Sequence, residues 1–568
     1  MSSKSQLSRR QVLKLTAAAL FGLFAVPKLV RPFLKQTGPI HHILPTVSHS
    51  QFVIKTSFYR PQKALQIRVS GANQVQAIVG QQTDSKGRFW MFSAAHLAPD
   101  TEYTLQIENG SGPVGDAWPL KTFPALDAHP DSMNLLCYTC AGGPSGISLP
   151  GGKEFFKPHH IRQSIFDTAL AMKPDAAIAI GDHIYWDLRG SDSVTLRAGM
   201  IGQIITWYLK QMFGVFDRTA EIIGTPNEDV LTAIGDDQIA DLYGTRFKSV
   251  PMFFVADDHD YFENDDADLG TFPPDSFSRR AHAAMARLYY PAFIAEQSTV
   301  LTDDEGTNIE GYNRSFGTLR FGDLVEVPML DCAGYLSVEG DQSVLFPRSV
   351  EDWLKSKIAS DQTQHLAIIP SHPLAWTAGK WREWYPDVVA PSKTFTGLVG
   401  NNLMENVQGV LSAKAQKAVW QKGWWLQHQR LIEAIDRNQL RPTIILSGDI
   451  HALGAKSIHG SGDIDLSKRP IQSLLVGSVS TSTLAWPSAA RSIPAASPEW
   501  LQTSDDVETR EDNGFTMIKF SRTAVAATLV NCGGGPQGLG SAPSSVSKDL
   551  PMELNQDAAV AKTTIILS

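Results

Sequence analysis

The sequence predicts a protein of mixed α+β or α/β class, in which a small antiparallel β unit precedes a larger α/β domain. Residues 45–125 contain short alternating apolar runs separated by turn residues, as half-buried strands do. Residues 131–530 instead alternate short apolar runs with helical patterns. Several of these later runs end on Gly, Asp or His, and ligands bind at that end of the strands in open α/β sheets.

Composition supports a large folded protein and limits its partners. The chain has 568 residues, of which 43% are apolar, enough for two or three domains. A net charge of −8 without any Lys/Arg run argues against nucleic acid as a default partner. Four cysteines in so long a chain do not make a disulfide framework, even in an exported protein.

The first 30 residues resemble a twin-arginine export signal. Ser8–Lys14 contains two adjacent arginines, although Val12 stands where such signals commonly have Phe. The uncharged run Leu15–Pro27 suits a signal and is shorter than the roughly 20 residues of a spanning helix. An amphipathic cytosolic helix is the alternative. We expect export by the twin-arginine machinery to the periplasm or cell envelope. Because no Ala-x-Ala site closes the run, membrane anchoring by this segment stays open.

The β unit over residues 45–125 is expected to be a sandwich of the fibronectin III/Ig-like type. Ala64–Val69 and Val75–Val79 alternate as strands do. Leu97–Leu105 resembles the Leu-x-Pro-x-Thr-x-Tyr strand start of fibronectin type III domains, where the Tyr makes a corner hydrogen bond. Lys121–Pro130 is the expected linker.

Three apolar runs in the larger domain lead directly into acidic residues. Clustered carboxylates repel one another unless a cation compensates, and Asp with His suits Zn, Fe or Mn. Glycine after a strand lets the backbone turn sharply. A solvated acidic turn is the alternative for any one run. The runs and the polar residues after them are Ala176–Ile180 with Gly181, Asp182 and Tyr185; Val250–Ala256 with Asp257, Asp258, His259, Asp260 and Asn264; and Thr443–Ser447 with Gly448, Asp449 and His451.

Two more apolar runs end on metal-binding residue types. Met133–Cys140 ends on a thiol, and the run from His365 ends on His372 in Ser-His-Pro. Together the five strand ends offer enough ligands for two metal ions, with one residue left over as a general acid.

These motifs, in this order, resemble the calcineurin-like metallophosphoesterases, and more narrowly the alkaline phosphatase D (PhoD-like) branch. The motifs are Gly-Asp-x-x-Tyr, Asp-Asp-His-Asp, Ser-His-Pro and Gly-Asp-x-His, and the resemblance covers roughly residues 130–530. It implies an αββα sandwich preceded by the β-sandwich, and a phosphoesterase acting on mono- or diesters.

The resemblance also implies a role for each site residue. Asp182 would bridge two metal ions, and His259 would protonate the leaving oxygen while a metal-bound hydroxide attacks phosphorus. The ions would be Fe³⁺ and Ca²⁺, with Zn²⁺ or Mn²⁺ as alternatives. The implied ligands are Cys140, Tyr185 and His451 for iron, and Asp258, Asn264 and Asp449 for the second ion.

Two positions depart from the family pattern. Asp331–Gly334 falls where relatives often show Leu-Asp-x-Arg, so a phosphate-clamping Arg is not found there. His372 stands where Gln is common, and it is either a metal or phosphate contact or a structural residue.

Other interpretations of single residues stay open. Cys137 and Cys140 could form a redox pair, although two residues inside one buried strand suit that poorly. Tyr185 could be a packed aromatic. The tryptophans between residues 376 and 425 are expected to pack helices on the sheet, with a hydrophobic substrate entrance as the alternative.

Helical patterns and the C-terminal tail complete the domain plan. Residues 533–568 form a tail rich in Gly, Pro and Ser at its start, for which the sequence indicates no role beyond one apolar run at 563–567. The predicted helices are Val194–Val215, Asn227–Tyr243, Ser278–Tyr290, Val350–Ser360 and Ala413–Gln439.

The sequence therefore favours an exported metal-dependent phosphoesterase. The alternative is an envelope binding or adhesion protein built on a catalytically damaged phosphoesterase fold. The retained acids and histidines of the four motifs argue for the enzyme. A Cys-based redox protein is less favoured.

Overall fold

The computed structural model describes residues 38–71, 74–145, 148–149, 153–186, 213–261, 276–294, 301, 316–391, 407–412, 417, 420–438, 441–490, 493–535 and 561–567. The signal-like segment, most of the predicted helix Val194–Val215, and Asn264 lie outside these residues. In the part of the chain that is described, no helix is long and apolar enough to cross a membrane.

The N-terminal unit consists of two antiparallel sheets that share an apolar interior. One has the strand order β1-β2-β6-β5, and the other the order β4-β3-β7-β8, with β9 also paired to β7. The Tyr103 hydroxyl accepts the backbone N–H of Ala98 at 2.8 Å, the local contact that the sequence predicted at this corner. The strands are β1 (Ile40–Val47), β2 (Phe52–Phe58), β3 (Gln66–Ser70), β4 (Val75–Val79), β5 (Gln81–Gln82), β6 (Phe89–Ala94), β7 (Glu102–Asn109), β8 (Gly112–Pro113) and β9 (Trp118–Lys121).

Polar contacts fix this unit to the larger domain. His41 Nε2 lies 2.7 Å from an Asp241 carboxylate oxygen, and the buried Lys55 ammonium donates to the Ala286 carbonyl at 2.6 Å. Burial lowers the pKa of Lys55 to about 7.

The larger domain is built on two mixed sheets. The first has the order β14-β13-β10-β25-β26-β27, and the second runs β15-β16-β17-β20-β23-β21-β22, with β24 paired to β21. The strands are β10 (Ser132–Thr139), β11 (Ser148–Leu149), β12 (Lys153–Glu154), β13 (Ala176–Ile180), β14 (Met252–Val255), β15 (Gly317–Phe321), β16 (Val325–Leu330), β17 (His365–Pro370), β18 (Val388–Pro391), β19 (Val407–Ser412), β20 (Thr443–Ser447), β21 (Leu453–Ser461), β22 (Ile464–Asp465), β23 (Ile471–Val476), β24 (Leu501–Arg510), β25 (Asn513–Ser521), β26 (Val525–Gly533) and β27 (Ala561–Leu567).

Most helices in the described part of the chain cover the outer faces of the two sheets. The helices are α1 (His159–Ala171), α2 (Pro226–Gly235), α3 (Asp241–Tyr243), α4 (Phe277–Leu288), α5 (Arg348–Ile358), α6 (Lys422–Arg437) and α7 (Pro487–Ala490). A π-helical turn, Asp236–Ala240, joins α2 to α3, so the predicted helix over this region is interrupted. The predicted helix Ala413–Gln439 begins only at Lys422.

Successive side chains along each strand point to opposite faces of its sheet, and this alternation produces the layers of the domain. In β10, Leu135 and Cys137 face the core shared by both sheets, whereas Leu136 and Tyr138 face the core that contains α1. In the second sheet, Ile368 of β17 faces a third core that contains α5 and α6. The result is the expected αββα sandwich, because each sheet buries one face against its partner and one against helices.

The C-terminal residues that the sequence left without a role add a strand to the first sheet. β27 pairs antiparallel with β26, from Val525 opposite Leu567 to Asn531 opposite Ala561.

Candidate metal centre

The predicted site residues meet because the carboxyl ends of parallel strands from both sheets converge. In the first sheet, Thr139 of β10 is in register with Ile180 of β13, which is in register with Val255 of β14. In the second sheet, β16, β17, β20 and β23 are parallel. The residues that follow these ends are Cys140, Asp182, Asp257 and Asp258 from the first sheet, and His372, Asp449 and His451 from the second.

The glycines of the two Gly-Asp motifs are required because neighbouring atoms lie very close to them, and not only because the backbone turns there. Gly181 has φ +74°, and a Cβ there would lie 2.5 Å from the Asp257 Cβ. Gly448 is not among the glycines with positive φ. A Cβ on Gly448 would lie 2.5 Å from the Thr139 hydroxyl oxygen, so it is the contact between the two sheets that requires glycine here.

Four of the site residues have a strained backbone. The described residues include nine non-glycine positions with positive φ, and four of these are in the site. L-residues rarely adopt this region, and such strain concentrates at functional sites where the surrounding structure enforces it. The four are Cys140 (φ 50°), Asp182 (φ 56°), Asp449 (φ 65°) and His451 (φ 49°).

Four of the predicted ligands surround one point between the sheets. The Cys140 Sγ lies 3.3 Å from Asp182 Oδ2, and the Tyr185 hydroxyl donates to the same oxygen at 2.8 Å. The Tyr185 oxygen also lies 3.2 Å from His451 Nε2. The ligand atoms of Cys140, Asp182 and His451 all lie within 4.8 Å of one another. Sulfur, nitrogen, phenol and carboxylate oxygen are thus within reach of a single ion.

The surroundings of this point fit a transition-metal ion. His451 Nδ1 lies 3.0 Å from the Ala485 carbonyl, which fixes the ring with Nε2 toward the other donors. Asp182 Oδ1 is buried and has no hydrogen-bond partner among the described residues. Burial, and then the negative charge of Asp182, raise the pKa of both Cys140 and Tyr185. A bound cation is what would allow these two groups to lose their protons.

His259 lies beside this point on its more open side. It is partly exposed, and its ring centroid is 4.1 Å from that of Tyr185. Its ligand atom lies within 4.8 Å of carboxylate oxygens of Asp182 and Asp258. An imidazole so placed can reach both a bound ester and solvent.

A group of charged side chains lies on the other side of Asp182 from Cys140, Tyr185 and His451. Asp258 and Asp449, predicted as ligands of the second ion, both contact the ammonium of Lys380, which is 3.3 Å from Asp258 Oδ2. Burial alone raises the pKa of Asp258, but the combined positive charges of Lys380, His259, Arg382 and His372 outweigh burial, and the net pKa is lowered. The buried Arg382 also interacts electrostatically with these acids, while burial lowers its own pKa to about 10.

His372 is buried against Asp257 at the bottom of the site. Its Nδ1 lies 2.9 Å from Asp257 Oδ1, which also accepts the Ser371 hydroxyl at 3.2 Å. Burial lowers the pKa of His372, but the charge and the hydrogen bond of Asp257, together with the charge of Asp449, outweigh burial and raise the pKa to about 9. Asp257, His372 and Asp449 form a further group of close ligand atoms.

Four functional positions were missed by the sequence analysis: Asp257, Asp260, Lys380 and Arg382. The first two lie inside the Asp-Asp-His-Asp cluster, where spacing alone does not show which carboxylate faces the site. The run Lys380–Trp384 places two cations among tryptophans, and this apolar setting was the available signal that the charges are buried.

Asp331 has a structural role in the loop where relatives often carry Arg. Its carboxylate accepts the backbone N–H groups of Ala333 at 2.9 Å and of Gly334 at 2.7 Å, as well as the Tyr261 hydroxyl.

All four cysteines are free thiols. Cys137 faces the inter-sheet core, and burial raises its pKa, so it does not behave as the partner of a redox pair. Cys532 is only partly buried and lies near the end of β26.

Comparison with known proteins identifies the family. A family model described as PhoD-like phosphatase matches residues 240–529, which are 290 of the 568 residues. The chain belongs to the PhoD-like phosphatase family. The match includes the positions of His259, His372, Asp449 and His451, and it begins after Cys140 and Asp182.

One solved structure shows the same fold, and a second is less similar. A structure described as that of PhoD superposes with a TM-score of 0.54 at 14% identity and covers 88% of each chain. A purple acid phosphatase from yellow lupin (Lupinus luteus) seeds has a TM-score of 0.46 at 10% identity, covering 92% of this chain and 73% of its own. No curated protein matches the chain in sequence. Family membership makes this PhoD-like protein a phosphoesterase, and it implies bound metal.

Proposed function

We propose that the protein is an exported, metal-dependent phosphoesterase that hydrolyses phosphate mono- or diesters. The observation that carries this proposal is the convergence of Cys140, Asp182, Tyr185 and His451 on one point beside the partly exposed His259. The alternative of a damaged site in a binding protein has less support, because all five residues are present and lie close together.

The thiol, phenol, imidazole and carboxylate donors suit iron, and we propose Fe³⁺ at this point. Soft sulfur with nitrogen and oxygen ligands selects transition metals over Mg²⁺ or Ca²⁺. When bound, the metal would polarise the phosphoryl group and activate water for attack. Asp182 would hold the ion through Oδ2, the oxygen next to the Cys140 and Tyr185 donors, and the Ala485 carbonyl would keep the His451 ring in place.

His259 would hold the proton that the leaving oxygen needs. Its ring packs against Tyr185, so it stays beside the reacting phosphate while its open side admits the alcohol part of the ester. General acid catalysis of this kind contributes typically about 10²–10⁴-fold to the rate.

Export is proposed from the N-terminal sequence alone. The adjacent Arg9 and Arg10 followed by the uncharged run Leu15–Pro27 support the twin-arginine route to the periplasm or cell envelope. That route moves folded proteins, as the resemblance implies, and a metal buried between two sheets is best loaded before translocation.

The proposal is tested with the purified protein on a chromogenic phosphate monoester and the corresponding diester, beside the Asp182→Asn variant. We expect hydrolysis of at least one ester by the wild type and its loss in the variant. A metal-loaded, folded wild type that hydrolyses neither ester, together with binding of an envelope polymer, would support the adhesion alternative instead.

A further inference from the structure

Lys380 occupies the place where the family resemblance led us to expect a second metal ion. That ion was expected between Asp258 and Asp449, with Asn264 as a further ligand outside the described residues. In the structure the Lys380 ammonium lies between these two carboxylates, 3.3 Å from Asp258 Oδ2 and in direct contact with Asp449 Oδ1. All three side chains are at least 97% buried.

A divalent ion held by these same two carboxylate oxygens does not fit beside this ammonium. Ca²⁺ bound to the same two oxygens would lie about 2.3–2.6 Å from each of them. Because Lys380 Nζ already contacts both oxygens, such an ion would overlap the nitrogen or stand against a like charge in a buried pocket. Arg382, buried nearby, interacts with the same acids and adds to the positive charge.

The loop that carries Lys380 is held at both ends, so the lysine is a fixed part of the pocket. Trp384 Nε1 donates to the His372 carbonyl at 3.2 Å, and the Tyr385 hydroxyl accepts the Ala375 N–H at 2.9 Å. Between these anchors, Glu383 accepts the Ala378 N–H at 2.6 Å and pairs with the buried Lys417.

We propose that the ammonium of Lys380 supplies, from within the chain, the positive charge that a second metal ion would bring to Asp258 and Asp449. The protein then works with one bound metal ion, at Cys140, Asp182, Tyr185 and His451, and without calcium. This inference rests on the proposed function, because it concerns the charge balance of that same site. Lys380 is a positioning residue here, since it acts through the two carboxylates.

The first test is metal content. The full-length protein is purified without chelators, desalted into metal-free buffer, and analysed for Fe, Zn, Mn, Mg and Ca. We expect one equivalent of a transition metal, no calcium, and ester hydrolysis that added CaCl₂ does not increase. A second equivalent of any metal, including one held by Asp257, His372 and Asp449, would overturn the proposal. So would activity that requires calcium.

The second test removes the lysine charge. Lys380→Gln leaves Asp258 and Asp449 without their cation, so calorimetric titration with CaCl₂ should reveal a new Ca²⁺ site that wild type lacks. Activity in EGTA should fall by about 10–100-fold, as for other residues that orient a metal centre, and CaCl₂ should restore part of it. Lys380→Arg keeps the charge and should not bind Ca²⁺.

Lys456→Gln is the matched control, because Lys456 is a buried lysine outside the site that pairs with Asp505. It should bind no Ca²⁺ and keep its activity. A Lys380→Gln protein that binds no more Ca²⁺ than wild type would overturn the proposal even if wild type holds one metal. A wild type with one metal but no esterase activity would instead contradict the proposed function and leave the single-metal inference standing.

Discussion

The Asp260 carboxylate accepts the backbone N–H of Asp182 at 3.0 Å, and so ties the start of one site loop to the end of a neighbouring strand. Its two oxygens also accept the N–H groups of His183 at 3.0 Å and Asp257 at 2.9 Å, and the Tyr290 hydroxyl at 2.7 Å. Burial raises the pKa of Asp260 to about 7, while the backbone N–H groups oppose that rise. The Asp260 carboxylate therefore stabilises the backbone conformation in which Asp182 has a positive φ.

Asp260→Asn should weaken metal binding although Asp260 faces no metal. Both of its oxygens accept two donors, so an amide NH₂ must meet N–H or O–H groups on one side. We expect a loss of about 1–3 kcal/mol in the free energy of unfolding from the unsatisfied groups. We also expect a loss of about 10–100-fold in metal affinity. Metal content and thermal unfolding measure the two effects.

Tyr290→Phe serves as the control for Asp260, because it removes one of the four donors and leaves the backbone contacts in place. Its effect on metal affinity should be clearly smaller. Equal effects of the two variants would show that the backbone contacts of Asp260 do not position Asp182.

Asp182→Asn and Cys140→Ala should each lose bound metal and most of the activity. Asp182 Oδ1 is buried without a hydrogen-bond partner among the described residues, so its charge is available to an ion, and a neutral amide replaces it poorly. Cys140 supplies the one sulfur of the group. Elemental analysis of the folded variants is the measurement, with Cys140→Ser retaining a weaker donor as comparison. A Cys140→Ala protein with full metal content and normal turnover would contradict the thiolate assignment.

The sequence predicted most of the residues that the structure brings together, because these residues follow buried strands. An apolar run that ends in Gly-Asp is a local signal, and parallel strands bring such ends to one edge whatever their separation along the chain. The pairing of Cys140 with His451 across two sheets follows from that rule, together with the resemblance.

The contribution of Lys380 could not be predicted in this way. It reaches the site from a loop, and its position depends on anchors such as Trp384 and Glu383 that only the folded structure brings together. The role of residues 561–567 was hidden for a related reason, since β27 is defined by its partner β26 rather than by its own pattern. Gly448 was predicted as a turn residue, whereas its need for glycine arises from contact with Thr139 on the other sheet.

His428→Gln should make the stability of the protein less sensitive to acid. Burial lowers the pKa of His428 from 6.5 to about 3, so in the unfolded chain it takes up a proton near pH 6.5 while the folded protein resists protonation. Stability is therefore lost as the pH falls below 6.5 toward 3, by up to about 1.4 kcal/mol per pH unit from this group. Urea unfolding at a series of pH values should give a shallower slope for the variant.

Tyr385→Phe is the matched control for this slope. The Tyr385 hydroxyl lies 3.1 Å from His428 Nε2 and also accepts the Ala375 N–H, so the variant removes both hydrogen bonds but keeps the imidazole. It should lower stability similarly at each pH and leave the slope unchanged. If both variants flatten the slope equally, the hydrogen bond rather than the buried imidazole carries the pH dependence. His42, His159 and His183, whose pKa values burial lowers to about 3, contribute to the slope that remains.

Changing Arg9 and Arg10 together to Lys should keep the protein in the cytoplasm, folded and active. Twin-arginine export depends on the guanidinium pair rather than on positive charge, as the resemblance implies, so a charge-preserving change should block it. Cell fractionation with an esterase assay measures the outcome. Changing Lys4 and Lys14 to Arg alters the same segment without touching the pair and should leave export intact. Unaffected export of the first variant would mean that the pair is part of an ordinary basic signal.

His259→Ala should keep the metal and slow turnover by about 10²–10⁴-fold, the usual range for general acid catalysis. The size of the loss should depend on the leaving group. Alkyl esters release strongly basic alkoxides, which need a proton as the P–O bond breaks, so they should lose most. Nitrophenyl esters release a stable phenolate and should lose much less. The measurements are metal content and kcat for a series of esters with graded leaving-group acidity.

Asp182→Asn provides the contrast for His259→Ala. A metal ligand is needed to bind the metal ion whatever the leaving group of the ester is. The Asp182→Asn variant should reduce activity on every ester by a similar factor and lose metal at the same time. Since His259 lies within 4.8 Å of the Asp182 and Asp258 carboxylates, a ligand role for it is the specific competing hypothesis. A His259→Ala protein that lacks metal and loses activity equally across the series would establish that role and exclude His259 as the acid.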